Sequence, residues 1–451
     1  MFAMTFWKPH ALAKPHENQL DLRMGDRVLS TVDLQGVTAG TDIASGAKAY
    51  QVRNQQRFVE RWHDTLTRRH PPPGQSAHYA ATRRARARVL VIDATTPMPD
   101  RDSGSMRLIA LLRLLVEEGC AVTFFPDNGM DDGDYTQALR DLGVEAWTQP
   151  WLGAMPDWLA RHGPRFQLVI VSRHYILSPL LPLLRRFAPQ ARIVFDTVDL
   201  HHLREQREAE RLGDPALART AERTRERELA LVRSVDRTWV VSPFEKALLA
   251  GEAPGTTVDV VSNIHRPRGA GPARAERDGL LFVGGFRHPP NVDAALWLAD
   301  DILPRIRAAR PEITLSLVGA DVPPEVQALA AREGVTVHGH VANLEPLLDS
   351  HRVSIAPLRY GAGVKGKVNT ALAHGLPVVA TRCAVEGMGL ADGRDVLVGD
   401  SADDLAAAVL RLYDDETLWV TLVAGGLANT EREFSPERAR ETIREVLAQI
   451  R

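Results

Sequence analysis

The residues best suited to chemistry lie in four stretches. Gly361-Ala362-Gly363-Val364-Lys365-Gly366-Lys367 leads into a helical stretch that ends at Gly375-Leu376-Pro377. Glycines let backbone N–H groups approach a phosphate, and a helix N-terminus adds partial positive charge for the same anion. Lys365 or Lys367 would add a full charge, able to neutralise a leaving diphosphate. The loop is not a P-loop, because no Gly-Lys-Ser/Thr triplet opens the helix; solvated lysines on a plain loop are the alternative. Gly284-Gly285, followed by Phe286 and Arg287, closes an apolar strand at the end where α/β sheets bind ligands, although an ordinary turn has the same look. Asp102-Ser103-Gly104-Ser105 holds the corresponding place in the first half. It either faces a phosphate or simply caps its helix.

The fourth stretch is Asp196-Thr197-Val198-Asp199-Leu200-His201-His202. Carboxylates and imidazoles at a strand's carboxyl end suit acid–base work or hydroxyl binding. At least one of Asp196, Asp199 and His202 is therefore expected to touch an acceptor or a transferring group, a purely structural role being the alternative, and His174 joins Asp102–Ser105 on that side. No metal is expected, because the spacing fits no strong ligand pattern. Asp132-Gly133-Asp134 spells an Asp-x-Asp, but in a polar loop, and reads as helix capping.

These stretches need a scaffold, and from Arg88 onward the chain repeats strand, turn, helix. Val89–Ile92, Val122–Phe125, Leu168–Val171, Ile193–Phe195 and Thr238–Val241 are apolar runs of the kind buried on both faces of a parallel sheet. Helical patterns lie between most of them, which predicts a doubly wound α/β domain over 86–265. A second such domain, 266–451, is read from Gly279–Val283, Thr314–Val318, Val335–Val337, Val353–Ala356 and Pro377–Ala380. Helices are expected at about Asn291, Pro324, Asn343 and Lys367, with three more at the end. Residues 1–85 form an extension with one helix, about Ala47 to Thr67, on which Phe58, Trp62 and Leu66 share a face. Pro71-Pro72-Pro73-Gly74 reads as a linker.

The chain has 451 residues, 44% of them hydrophobic and 25% charged, with a formal net charge of −2. That balance suits ordinary globular domains and argues against a nucleic-acid binder, which would carry a concentrated basic footprint. The two cysteines, Cys120 and Cys383, are too few and too distant for a disulfide framework. Neither a secretory signal nor a membrane span is visible, so a cytoplasmic location is expected, with peripheral contact at the inner face of the membrane left open.

From about Arg88 to Arg451 the chain resembles the group 1 (family 4) retaining glycosyltransferases of GT-B fold. The resemblance is carried by Phe282-Val283-Gly284-Gly285-Phe286, His288-Pro289-Pro290-Asn291-Val292-Asp293, Pro357-Leu358-Arg359-Tyr360 with the glycine–lysine loop, Ala373–Val379, and Val385-Glu386-Gly387-Met388. It implies two Rossmann-like domains facing a central cleft. A nucleotide-diphosphate sugar would be held by Gly284, Gly285, Phe286, Arg287, Gly363, Val364, Lys365, Lys367, Thr370 and Glu386. A glycan, lipid-linked or protein acceptor would sit on the first domain. Bacterial surface polysaccharide or glycoconjugate synthesis is the expected setting, and since no convincing metal-ligand cluster is present and lysines can neutralise the leaving group, metal-independent transfer with no further cofactor is expected. Thr370 stands where such enzymes usually have a ribose-binding glutamate, and Asp196 where many have histidine. Gly36–Asp42, with Gln51, Asn54, Phe58 and Trp62, is similar to the tail of a family 2 glycosyltransferase domain, which implies partners among other glycosyltransferase domains or a membrane-surface complex. Two alternatives remain at this stage: a sugar-nucleotide enzyme of the same fold resembling a 2-epimerase, and a catalytically silent scaffold. A dinucleotide oxidoreductase is disfavoured, since no Gly-x-Gly-x-x-Gly follows Ile92.

Overall fold

In the computed structural model, residues 19–24, 27–33, 46–69, 79 and 81–450 are described. The chain divides into two compact units, Met1–Arg84 and Ala85–Arg451. The first unit contains an antiparallel pair, β1 (Gln19–Met24) with β2 (Arg27–Asp33), and a helix over Gly46–Arg69. The pair was not anticipated. The helix runs slightly longer than expected, and Phe58 on it is exposed. Gly36–Asp42 and the Pro71–Gly74 linker lie outside the described residues.

The second unit is built on two parallel sheets. The first has the order β5-β4-β3-β6-β7-β8-β9, from β3 (Arg88–Asp93), β4 (Ala121–Pro126), β5 (Glu145–Ala146), β6 (Leu168–Ser172), β7 (Arg192–Asp196), β8 (Arg237–Val240) and β9 (Val258–Val260). The other has the order β12-β11-β10-β13-β14-β15, from β10 (Leu280–Val283), β11 (Leu315–Val318), β12 (Val335–Gly339), β13 (Val353–Ala356), β14 (Val378–Ala380) and β15 (Leu397–Val398). The expected apolar runs are all strands. The short edge strands β5, β9 and β15 were not read from the sequence. The order reverses between β3 and β6 in one sheet and between β10 and β13 in the other. Such switch points open a crevice beyond the strands' carboxyl ends, where doubly wound sheets bind ligands.

Each sheet is covered on both faces. Val89, Val91, Val122 and Phe124 point to one side of the first sheet, and Leu90, Ile92, Val169 and Phe195 to the other. The last helix, Pro436–Ala448, departs from the expected domain division. Its Ala439, Ile443, Val446 and Leu447 pack into the first domain's core, against Leu108, Leu111 and Leu115. The chain therefore crosses back after completing the second domain. Arg440 and Arg444 fasten this helix to Glu118, at 2.9 Å for both pairs. Hydrogen bonds from Arg444 and then Arg440 hold the Glu118 carboxyl down at about 2.

The crossover predicts that the last helix supports the first domain rather than its own. Ile443→Ala removes a fully enclosed side chain and should cost about 2–5 kcal/mol. Denaturant titration followed by a probe in the first domain checks this; an unchanged midpoint would contradict the packing.

Candidate functional site

Loops from the carboxyl ends of the two sheets meet each other. After β3, the Arg101 carbonyl lies against Gly285, which follows β10, and Ser103 lies where a side chain on Gly366 would stand. After β7, Asp199 packs on Gly363, its Cβ only 3.0 Å from the place a Gly363 Cβ would occupy. Gly363 has a positive φ of 67°, so a side chain there would be excluded twice, by backbone strain and by Asp199. The helix following β7, His201–Leu212, reaches across. Arg207 donates to the Gly361 carbonyl at 2.6 Å and to Glu386 at 2.9 Å, and Arg211 reaches Asp293 at 3.5 Å. From the segment after β9, Asn263 donates to Asn369 at 3.0 Å and to the Val364 carbonyl at 3.3 Å. The two switch points therefore share one cleft.

On the second-domain side the glycine–lysine loop precedes a helix over Gly366–Ala373. Lys367 extends back to the end of β10, where its ammonium donates to Asn291 Oδ1 at 2.5 Å beside Gly284 and lies 4.4 Å from the centre of the Phe282 ring. Burial, and then the neighbouring Lys365, lower it to about 7. Lys365 folds over its own loop, donating to the carbonyls of Ala362 at 3.1 Å and Gly363 at 2.6 Å. Burial lowers its pKa as well. Thr370 lies one turn further along the same helix, half-buried. Glu386 is engaged by Arg207. Phe286 is buried against Phe282 in the core. Arg287 does not join the group: its side chain is 75% exposed and pairs outward with Asp321 at 2.9 Å. The turn that buries Phe286 sends the next side chain the other way.

The first-domain side corrects several expectations. Asp196 is fully buried, and both its oxygens are taken by the Arg107 guanidinium at 2.7 and 2.9 Å. Arg107 also donates to the carbonyls of Val261 and Ser262. Asp196 is thus a structural anchor, not a group presented to an acceptor. His202 is buried too, and its Nδ1 lies 2.5 Å from Glu228. The same Glu228 carboxylate accepts from the backbone N–H of His201 at 3.0 Å and of His202 at 3.1 Å. Glu245, also buried, accepts from Leu200 N and Val241 N. Burial chiefly pushes Glu245 up to about 7. The first amides of the helix are consequently occupied by protein carboxylates, and this helix start is no anion site. His174 is buried with its ring edge-on to His201, 5.0 Å between centres; burial lowers it to about 4. Asp102 caps its helix, accepting from Ser105 N at 2.8 Å and Ser105 Oγ at 2.7 Å. Asp132-Gly133-Asp134 does not cap in the expected way: Gly133 is the N-cap residue, with no side-chain bond, and Asp131 takes the Gly133 amide.

Asp199 is the carboxylate of this stretch that stands at the cleft. It pairs with Arg204 at 2.5 Å and with His201 Nδ1 at 3.3 Å. Burial would raise it, but His201, Arg204, Arg173 and His288 together hold it below the usual carboxylate range. One group among the described residues could hold a metal: His174, His201 and Glu228 bring one ligand atom each within 4.8 Å of one another. Glu228 would have to serve the ion while already accepting from two amides and one imidazole.

Sequence reasoning missed Arg107, Arg173, Arg207, Glu228, Glu245, Asn263 and Asn291. Glu228, Glu245 and Asn263 are neighbours of the motifs only in space. Arg107 and Arg207 lie on the helices that Ser103 and His201 open, Arg173 stands next to His174, and Asn291 lies inside the quoted His288–Asp293 segment, where an amide near a strand end was a usable signal.

Residues 277–415 match the family model described as group 1 glycosyl transferases. An uncharacterized 44.6 kDa protein in the cps region of Klebsiella pneumoniae is 26% identical over 129 residues, 27% of this chain. That match spans 33% of the Klebsiella protein's own length. Among solved structures, sucrose-phosphate synthase from Thermosynechococcus elongatus superposes with a TM-score of 0.61 at 18% identity, over 80% of this chain and 98% of that one. Anabaena Alr3699/HepE, solved with UDP and glucose, gives 0.59 at 15% identity, over 80% and 99%. S. aureus TarM gives 0.51 at 12% identity, and the chain spans 55% of its length. The two-domain fold is the GT-B arrangement that the sequence implied, with two Rossmann-like domains facing a cleft.

Proposed function

We propose that this protein is a glycosyltransferase that moves a sugar from a nucleotide-diphosphate sugar, held by the second domain, to an acceptor held by the first. The observation that carries this is the loop Gly361–Lys367 at a switch point, with the Lys367 ammonium seated beside Gly284 at the end of β10. Two lysines and a helix start there can neutralise a diphosphate as it leaves. The match of 277–415 to group 1 glycosyl transferases and the UDP in the HepE structure support a nucleotide-sugar donor. The cps-region relative supports surface polysaccharide synthesis.

In this reading Lys367 and Lys365 hold the diphosphate, with Gly284, Gly285, Gly363 and Val364 lining its approach. Thr370 and Glu386 stand nearer the nucleoside. Asp199, held as a carboxylate, faces the same loop from the first domain and orients the attacking hydroxyl. Transfer proceeds with retention, the leaving phosphate itself taking the acceptor's proton, so no buried general base such as Asp196 is needed. Family 4 membership, metal independence and a cytoplasmic site of action belong to the same proposal. Among the described residues no helix is long and apolar enough to cross a membrane.

Lys367→Ala should weaken UDP-glucose binding or transfer by about 1.5–3 kcal/mol, the worth of one charge-assisted contact. The wild type should also bind more weakly as pH rises through about 7, the value to which burial lowers Lys367. The protonated lysine binds the diphosphate, the donor's diphosphate does not titrate near neutrality, and each unit above 7 costs up to about tenfold. Calorimetry at pH 6 and 8 on both proteins checks this; a pH-independent wild type would refute it.

Transfer should survive EDTA, since lysines rather than a metal meet the leaving group. Loss of turnover restored by Mn²⁺ or Mg²⁺ would overturn that assignment. Asp199→Asn should leave nucleotide affinity nearly intact while transfer falls by about 10²-fold, the cost of a misplaced attacking hydroxyl. Residual turnover that merely tracks the folded fraction would instead mark Asp199 as structural.

A further inference from the structure

The first-domain switch point holds a residue that the proposed transfer does not use. Arg173 follows β6 directly, so it sits beside the β3 loop in the crevice that opens there. Its backbone has φ 69° and ψ 135°, a region that side-chain-bearing residues rarely adopt. The Arg173 amide donates to the Asp196 carbonyl at 2.8 Å, and Nε donates to Asp93 Oδ1 at 2.8 Å. One strand over, Val198 is also at positive φ, 65°, and for a β-branched residue that is a true outlier. Both side chains border the same spot: Arg173 Nη2 and Val198 Cγ1 lie 3.7 and 3.9 Å from where a Cβ on Gly104 would be. Backbone strain of this kind persists where the surroundings hold it for a purpose.

What the strain achieves is the placement of a guanidinium. Nε and Asp93 fix its plane, and its two terminal nitrogens make no hydrogen bond among the described residues. The side chain remains 24% exposed. A planar fork with one edge anchored and the other presented to a crevice is suited to two oxygens of one phosphate. Its charge is permanent, because a guanidinium does not give up its proton in a protein. Two residues on, Tyr175 is 46% exposed, its ring centre 5.5 Å from that of His174 and 5.9 Å from that of His201.

We infer that Arg173, with the exposed Tyr175 two residues on, recognises a phosphate group carried by the acceptor, whether a lipid phosphate or a sugar phosphate. The inference rests on the proposed division of labour, with the donor on the second domain and the acceptor on the first. The donor's diphosphate has its own cations in Lys365 and Lys367, so Arg173 is left for the other substrate. Asp93 Oδ1 accepts from both Arg173 Nε and the Ala94 amide, and in this way orients the fork.

The test is calorimetry with farnesyl phosphate, glucose 1-phosphate and farnesol, each titrated with and without saturating UDP. The wild type should bind at least one phosphate probe and not farnesol. Farnesyl phosphate alone would identify a lipid phosphate, and glucose 1-phosphate alone a sugar phosphate. Arg173→Gln should weaken that binding by about 10- to 100-fold, while UDP affinity stays unchanged. Arg173→Lys keeps the charge and a partner for Asp93, and should fold even if the Gln variant does not; it should give a smaller loss in the same direction. Tyr175→Phe, which keeps the ring, should retain binding, and Tyr175→Ala should weaken it. Absence of binding by both phosphate probes, equal binding of farnesol and farnesyl phosphate, or a parallel loss of UDP affinity in the Arg173 variants would overturn the inference. If UDP fails to bind but a phosphate probe still binds through Arg173, the donor assignment falls and the Arg173 site stands.

Discussion

The buried fork between Arg107 and Asp196 is the tie on which the first-domain face of the cleft depends. Arg107 lies in the first turns of the helix after β3, Asp196 ends β7, and the carbonyls of Val261 and Ser262 belong to the segment leaving β9. One guanidinium therefore sets the relative positions of three structures at the sheet's carboxyl edge. Deleting one partner of such a pair typically costs about 3–5 kcal/mol, because it strands a charge without water. The Asp196 carbonyl in turn holds the Arg173 amide. The strained backbone of Arg173 is thus anchored to the same residue that Arg107 immobilises.

A second layer of buried acids finishes the surface. Glu228 and Glu245 come from the helices before and after β8, and together they accept the amides of Leu200, His201 and His202. The helix start that would otherwise attract an anion is neutralised from inside. Charge at the mouth is left to side chains that can be aimed singly: Asp199 toward the glycine–lysine loop, and Arg173 toward Gly104. This separation would suit the proposed site, in which two phosphorylated substrates are kept in different places.

The sequence carried most of the framework because parallel strands buried on both faces are continuous apolar runs. Edge strands of two or three residues, such as β5, β9 and β15, give no such run and were passed over. The β1–β2 pair was missed for another reason: its alternation, as in Leu20, Leu22 and Val28, is short and interrupted by charge. At the site, the glycine–lysine loop was legible because its glycines and lysines are contiguous. The roles within Asp196–His202 were not. Residue type alone cannot tell a buried anchor from a presented acid when the deciding partner, Arg107 or Glu228, stands 89 or 26 positions away.

The glycines of the glycine–lysine loop gain a second meaning from this geometry. The proposed phosphate-binding role would require the backbone there to be accessible, but Gly366 and Gly363 are also approached by protein atoms, Ser103 and Asp199, from the opposite domain. A side chain at either position would hold the domains apart and separate Asp199 from the lysines. The same small residues that let a phosphate near the backbone also let the two sheets close on each other. Arg207, bridging to Gly361 and Glu386, then fixes the closed arrangement from the side. In the proposed transfer this approach would bring groups from both domains onto one reacting bond, and the accuracy of that placement, more than the strength of any single group, would be the cleft's contribution.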